Sequence, residues 1–124
     1  MSLEVERAKY LKRAMVSRGI VPDDFLEEGY SAIGIHSNST IIACNQALAD
    51  MTGYSVDELE GMNAWRLFAP ESANLLMQNL KTMSEAPYQV TAIRKDGVKY
   101  EVELKGINFE LSGDMARAVM IKAL

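Results

Sequence analysis

Residues 94–104 read RKDGVKYEVEL, and this short stretch decides the kind of fold. Asp96-Gly97 is the strongest hairpin signal in the chain, because tight two-residue turns need positive φ and Asp-Gly supplies it at low steric cost. Past the turn, Tyr100, Val102 and Leu104 alternate with Glu101, Glu103 and Lys105. A period of two with one apolar and one charged side is the mark of an antiparallel strand that is buried on one face only. The pattern predicts strands over Tyr88 to Lys95 and over Val98 to Phe109.

Working outward, Ser112-Gly113-Asp114 turns the chain into a third run, Met115 to Leu124. Upstream the pattern changes to helix. Pro70-Glu71 opens a helix reaching to about Ser84, with the proline near the first helical position and the acid in the first turn. Its apolar stripe is Ala73, Leu76, Met77, Leu80 and Met83. A short piece around Trp65 to Phe68 precedes it. Ser55-Val56-Asp57-Glu58 has the form of a capping box ahead of another short helix. Asn45 is a plausible N-cap for Gln46 to Thr52, and Gly53 and Gly61 end the two pieces. Before these, Tyr30 to His36 and Thr40 to Cys44 read as strands joined by Ser37-Asn38-Ser39.

Strands at both ends with helices between them imply an α+β fold: a five-stranded antiparallel sheet with short helices on one face. Residues 23–29, DDFLEEG, add a short turn of helix ahead of the first strand. Residues 3 to 18 form a further, flanking helix with Val5, Ala8, Leu11 and Met15 on one side, ended by Gly19 and Pro22. A helix this short is marginal alone in water and needs a partner surface. The expected partner is the sheet, with Ile93, Ile107 and Ile121 as candidates for its outer face, or a second copy of the helix. Residues 1–22 are thus expected as a flanking helix and linker, and 23–124 as the domain proper.

The 124 residues suit one domain, and the formal charge of −4 disfavours nucleic acid as a partner. The densest basic group, Arg7, Lys9, Lys12, Arg13 and Arg18, is interleaved with Glu4 and Glu6, as on a solvated helix face. Cys44 is the one cysteine, which precludes an internal disulfide. No apolar run reaches the ~20 residues of a membrane span, and no secretory signal is evident. Met1-Ser2-Leu3 reads partly as an expression scar, and the chain stops inside a strand-like run. The expectation is a cytoplasmic piece of a longer protein.

At this point the sequence resembles the PAS family. The matching residues run from about Gly29 to Ile121. They comprise the hairpin GYSAIGIHSNSTIIACN ending in Asn45, and Met51-Thr52-Gly53-Tyr54-Ser55 followed by Asp57-Glu58-Leu59-Glu60-Gly61-Met62. They continue with Pro70-Glu71-Ser72, Pro87-Tyr88, Arg94-Lys95-Asp96-Gly97 and Val102-Glu103-Leu104. The order and spacing of the whole set carry the resemblance. It implies a non-catalytic sensory input domain that regulates an effector outside this chain, such as a diguanylate cyclase with its GGDEF motif, a histidine kinase or a transcriptional regulator. The alternative is a ligand-free dimerisation or interaction module, and a homodimer is expected in either case. Many members end in Asp-Ile-Thr. Here Lys122-Ala123-Leu124 stands in that place, with Ala123 for the Asp, which makes the N-terminal helix the more attractive route for a signal.

Catalytic and cofactor chemistry finds no support in the sequence. His36 is the one histidine, at a strand end where a solvent-facing position is expected, and no Cys/His cluster exists for a metal. Haem-binding relatives carry a histidine on the long helix, which here reads ESANLLMQNLKTMSE. Flavin photosensors carry a reactive cysteine after the second helical piece, whereas Cys44 precedes Asn45 and reads as a structural thiol. No haem, flavin or metal is therefore expected. What remains is an apolar interior with a few polar tips. Trp65, Met77, Tyr88, Val90, Tyr100 and Leu104 are the candidates for a small-ligand pocket, with Trp65 and Tyr88 suited to orienting a ligand through their hydrogen-bonding ends. The same residues would also serve simply to fill the core.

Overall fold

The computed structural model describes residues 3–124; the expected scar at Met1 and Ser2 lies outside the described residues. Helix α1 spans Leu3–Ser17, and a 3-10 turn at Pro22–Phe25 leads into the sheet. Strands β1 (Ala32–Ser37) and β2 (Thr40–Cys44) form the first hairpin. Helices α2 (Gln46–Thr52) and α3 (Val56–Leu59), 3-10 turns at Ala64–Leu67 and Pro70–Ser72, and helix α4 (Ala73–Thr82) make a helical layer. Strands β3 (Tyr88–Ile93), β4 (Lys99–Leu111) and β5 (Asp114–Ala123) complete the fold. The order across the sheet is β2-β1-β5-β4-β3, and every pairing is antiparallel. The five-stranded antiparallel sheet of an α+β fold, expected from strands at both ends with helices between them, is thus present.

Local chemistry sets the joints. Asn38 and Ser39 both have positive φ, 50° and 67°, which is the hand that matches strand twist in a two-residue hairpin. Asn45 caps α2 by accepting from the Leu48 N–H (3.1 Å), and the same oxygen accepts from the Ile33 N–H of β1 (3.2 Å). One amide side chain therefore locks the helical layer to the sheet. Ser55 and Glu58 exchange reciprocal bonds of 3.0 Å with each other's backbone N–H, a complete capping box. The Asp96-Gly97 turn is wider than a two-residue loop: β3 and β4 pair last at Ile93 and Lys99, and Asp96 Oδ1 accepts from the Val98 N–H.

Two apolar clusters flank the sheet. The inner one joins Ala32, Ile41, Val102, Leu104 and Ile121 of the strands to Leu48, Leu59, Leu67 and Leu76 of the helical layer. The outer one packs Ala8, Leu11 and Met15 of α1 on Ile33, Ile35, Ile42, Ala118 and Met120. The flanking helix therefore covers the sheet of its own chain. Ile107 joins this outer cluster as expected, but Ile121 faces inward. It pairs with Leu104 on the inner face, while its neighbour Met120 takes the outer side. Ile93 is half-buried.

Helix α4 also departs from the expected stripe. Leu76 is buried and Leu80 half-buried, but Met77 is 45% exposed and Met83 is 47% exposed. Asn79 takes the inward position instead. The helix stops at Thr82 because Met83 adopts a left-handed φ of 52°, short of the expected end at Ser84.

Candidate functional site

Between the inner sheet face and the layer formed by α4 and the Ala64–Leu67 turn lies a cavity of about 70 Å³. That space holds a few waters or a very small solute, since a water needs roughly 10–15 Å³ by this measure. It is far below the roughly 300–1,000 Å³ of sites for drug-sized ligands. Most of its wall is apolar: Ile41, Leu67, Phe68, Leu76, Leu80 and Leu104 among others.

Of the six residues expected from sequence, Trp65, Tyr88 and Leu104 line this cavity. The other three do not. Met77 points out to solvent because α4 turns Leu76 and Leu80 inward. Val90 is buried in the inner cluster, and Tyr100 packs half-buried against that cluster, both away from the cavity wall. Trp65 is held at its place by two bonds: its backbone N–H donates to Asn63 Oδ1 (2.9 Å) and its indole N–H to Ser39 Oγ (3.0 Å).

The polar end of the cavity was not anticipated from the sequence. His36, Arg117 and Asn108 lie opposite one another across three adjacent strands, β1, β5 and β4. Arg117 is 6% exposed, and its guanidinium donates to Asn108 Oδ1 (2.7 Å) and to the Ser84 carbonyl. Both acceptors are neutral. Among the described residues, no carboxylate lies within ion-pair distance of it. Glu85 acts on it only at a remove, through a carboxylate that accepts from the Asn108 backbone N–H (2.7 Å). Burial lowers the Arg117 pKa, with the Tyr88 and Glu85 charges opposing. Arg117 also owes its position to Gly106: a Cβ there would sit 2.3 Å from the guanidinium carbon.

His36, expected in solvent, instead lines the cavity, because β1 runs on to Ser37 and the turn begins only at Asn38. Its Nδ1 is buried without a hydrogen-bond partner. Burial, and secondarily the Arg117 charge, bring its pKa down to about 4, so the ring is neutral at pH 7. The Cys44 thiol is pushed up to about 11 by burial and by Glu60, as suits an inert thiol. The described residues contain no group of three His, Cys, Asp or Glu side chains able to hold a metal.

A signal for the polar row was present in the sequence. Arg117 has the parity of Val119 and Ile121 in the run MARAVMI, and His36 has the parity of Ala32 and Gly34. Extending the alternation across β1 and β5 puts both on the inner face.

Comparison with known proteins agrees with this architecture. The chain is similar in structure to the PAS domain of an HTR-like protein from Haloarcula marismortui, with 22% identity, 96% of this chain and 98% of that chain covered, and a TM-score of 0.68. It is also similar to a PAS domain of a Desulfitobacterium hafniense protein, at 19% identity, 82% and 99% coverage and a TM-score of 0.67. The PAS domain of a two-component sensor histidine kinase gives 17% identity, 75% and 84% coverage and a TM-score of 0.67. No curated protein sequence matches significantly. The family model described as PAS domain matches residues 30–121, nearly three-quarters of the chain. From the first strand to the last, this chain belongs to the PAS domain family.

Proposed function

We propose that this chain is a sensory input domain that takes a small solute into the cavity between its sheet and its helical layer. The observation carrying this reading is the composition of that cavity: apolar walls closed at one end by His36 and Arg117. A void that only reflected imperfect packing would have no reason to hold a buried cation and an unpartnered ring nitrogen. In this reading residues 23–124 are the sensing unit and residues 1–22 its flanking helix and linker. The regulated effector is a diguanylate cyclase, a histidine kinase or a transcriptional regulator in the same polypeptide, and the domain itself catalyses nothing. Among the described residues no helix is long and apolar enough to cross a membrane, which suits a cytoplasmic sensor.

A second reading, a homodimerising interaction module, draws on one feature. Leu3, Tyr10 and Val16 of α1 remain 86%, 49% and 70% exposed while the opposite side of the helix is buried. The two readings are separable. Trp65 is the one tryptophan and lines the cavity, so its emission reports on the site directly. Titration with a panel of solutes of three to six heavy atoms (about the size the cavity admits) should give a saturable change for at least one of them. Ala64→Leu, which fills the cavity from its wall, should abolish that change. A flat response to the whole panel, with a dimer seen by light scattering, would favour the interaction module.

A further inference from the structure

Among the described residues, Arg117 is the one charged side chain in the cavity wall, and no carboxylate neutralises it at close range. Buried arginines are ordinarily paired with a carboxylate, because the desolvated charge is costly when its partners are neutral. Here Asn108 and Ser84 take two donors and leave the rest of a five-donor group available. His36, opposite Arg117 in the β1–β5 register, adds a buried Nδ1 with no partner. As a neutral imidazole it is able to carry a proton on that nitrogen and donate it. Two cross-strand neighbours with unused hydrogen-bonding capacity thus border one small, mostly apolar space.

We infer that the cavity selects a short-chain monocarboxylate of two to four carbons, its carboxylate accepting hydrogen bonds from Arg117 and His36 and its alkyl end lying against Leu67, Leu76 and Leu80. The inference rests on the ligand-sensing reading above and specifies its chemistry. The carboxylate supplies the counter-charge that the fold withholds, and the planar guanidinium is the side chain best shaped for it. The cavity of about 70 Å³ sets the chain length, since a 150 Å³ apolar cavity is what accommodates benzene. The apolar walls disfavour a bare inorganic anion, which needs donors all round. Glu85 and Tyr88 are the other titratable groups whose charge reaches Arg117, and Glu85 is occupied by Asn108.

The test compares isosteres on the intact chain. Propionate and propionamide differ in charge and scarcely in shape. Binding is followed by Trp65 emission and by the amide and Arg117 side-chain resonances in nitrogen-15 spectra. Propionate should bind about ten- to a hundredfold more tightly than propionamide, the span expected of a charge-assisted hydrogen bond. In Arg117→Gln the preference should fall to about one. In His36→Phe propionate should weaken by about tenfold while the Arg117 resonance still moves on binding. Equal binding of the two isosteres to the unaltered chain overturns the inference and leaves the sensory reading intact, as does saturable binding of other small solutes when propionate has none. A preference that survives in a folded Arg117→Gln also overturns it. Should that variant melt before it can be titrated, the Arg117 resonance decides: no shift on propionate saturation rules out the contact. A flat response to both isosteres and to every other solute removes the sensory reading along with the inference.

Discussion

The two faces of the sheet are built to different ends. On the outer face, Ile33, Ile35, Ala118 and Met120 are wholly buried, packed with Leu11 and Met15 of α1 in one apolar cluster, and the charged pairs of that side, Arg7–Asp114 and Lys122–Glu103, stay partly exposed. On the inner face the same two strands present His36 and Arg117 beside a cavity. Residues one apart on one strand, Ile35 and His36 or Arg117 and Ala118, thus serve opposite requirements. The outer face gains stability from close packing, since burying each Leu or Met is worth roughly 1.5–3 kcal/mol. The inner face gives up part of that gain for a charged, incompletely filled interior. In the proposed reading, stability and recognition are divided between the faces of one sheet.

The largest effect should come from the tight face. Leu11→Ala removes a wholly buried side chain from the α1 interface and should cost about 2–5 kcal/mol in urea unfolding. A loss under about 1 kcal/mol would mean that α1 does not cover the sheet in solution. On the inner face, His36 should make stability depend on pH. Its folded pKa of about 4 lies below the unfolded 6.5, so the unfolded chain binds the extra proton between those values. Stability should be fully present above pH 6.5 and fall as pH drops toward 4, by up to about 3 kcal/mol from this group. The slope attributable to His36 is the difference between the native chain and His36→Gln. Parallel pH profiles would place the ring in solvent.

Smaller, and more diagnostic, is Gly106→Ala. The new Cβ meets the Arg117 guanidinium, and overpacking of this kind costs about 1–3 kcal/mol. Combined with Arg117→Ala, most of that cost should vanish, and a double-mutant cycle with no coupling would break the proposed geometry. The smallest effect should come from Arg7→Gln, which removes the partly exposed 2.7 Å ion pair to Asp114 at one end of α1. About 0–1 kcal/mol is expected, reduced further by salt. A larger loss would show that charge as well as apolar contact holds the helix down.

Features fixed by chemistry within a few residues were legible in the sequence. The Ser55–Glu58 box, the Asn45 cap and the turn at Asp96-Gly97 each depend on local groups, and each occurs at the expected place. The family was legible because it is written in those joints. Assigning side chains to faces was harder. Met77 and Leu76 are adjacent on α4, and apolarity alone does not say which one turns inward. Ile107 and Ile121 look alike, yet strand register puts them on opposite faces. The polar row was missed for a related reason: His36, Arg117 and Asn108 lie far apart in sequence and come together only through the pairings of β1, β5 and β4. Of the candidate pocket, alternation correctly turns Tyr88, Val90, Tyr100 and Leu104 to the inner face, but only the packing shows that Val90 and Tyr100 lie away from the cavity, that Trp65 lines it and that Met77 does not.

The contact between Gly106 and Arg117 also constrains the order in which this interior can mutate. Gly106 has no positive φ to protect; what it protects is the volume the guanidinium occupies. A lineage that first replaces Arg117 by a smaller residue empties that volume, and position 106 is then free to acquire a side chain at little cost. A lineage that first replaces Gly106 must displace a buried cation and passes through a destabilised intermediate. Change should therefore run in one direction, with the arginine lost before the glycine. Once a side chain has settled at 106, restoring arginine at 117 would require that side chain to be removed first, so loss of the cationic site is easier than its recovery.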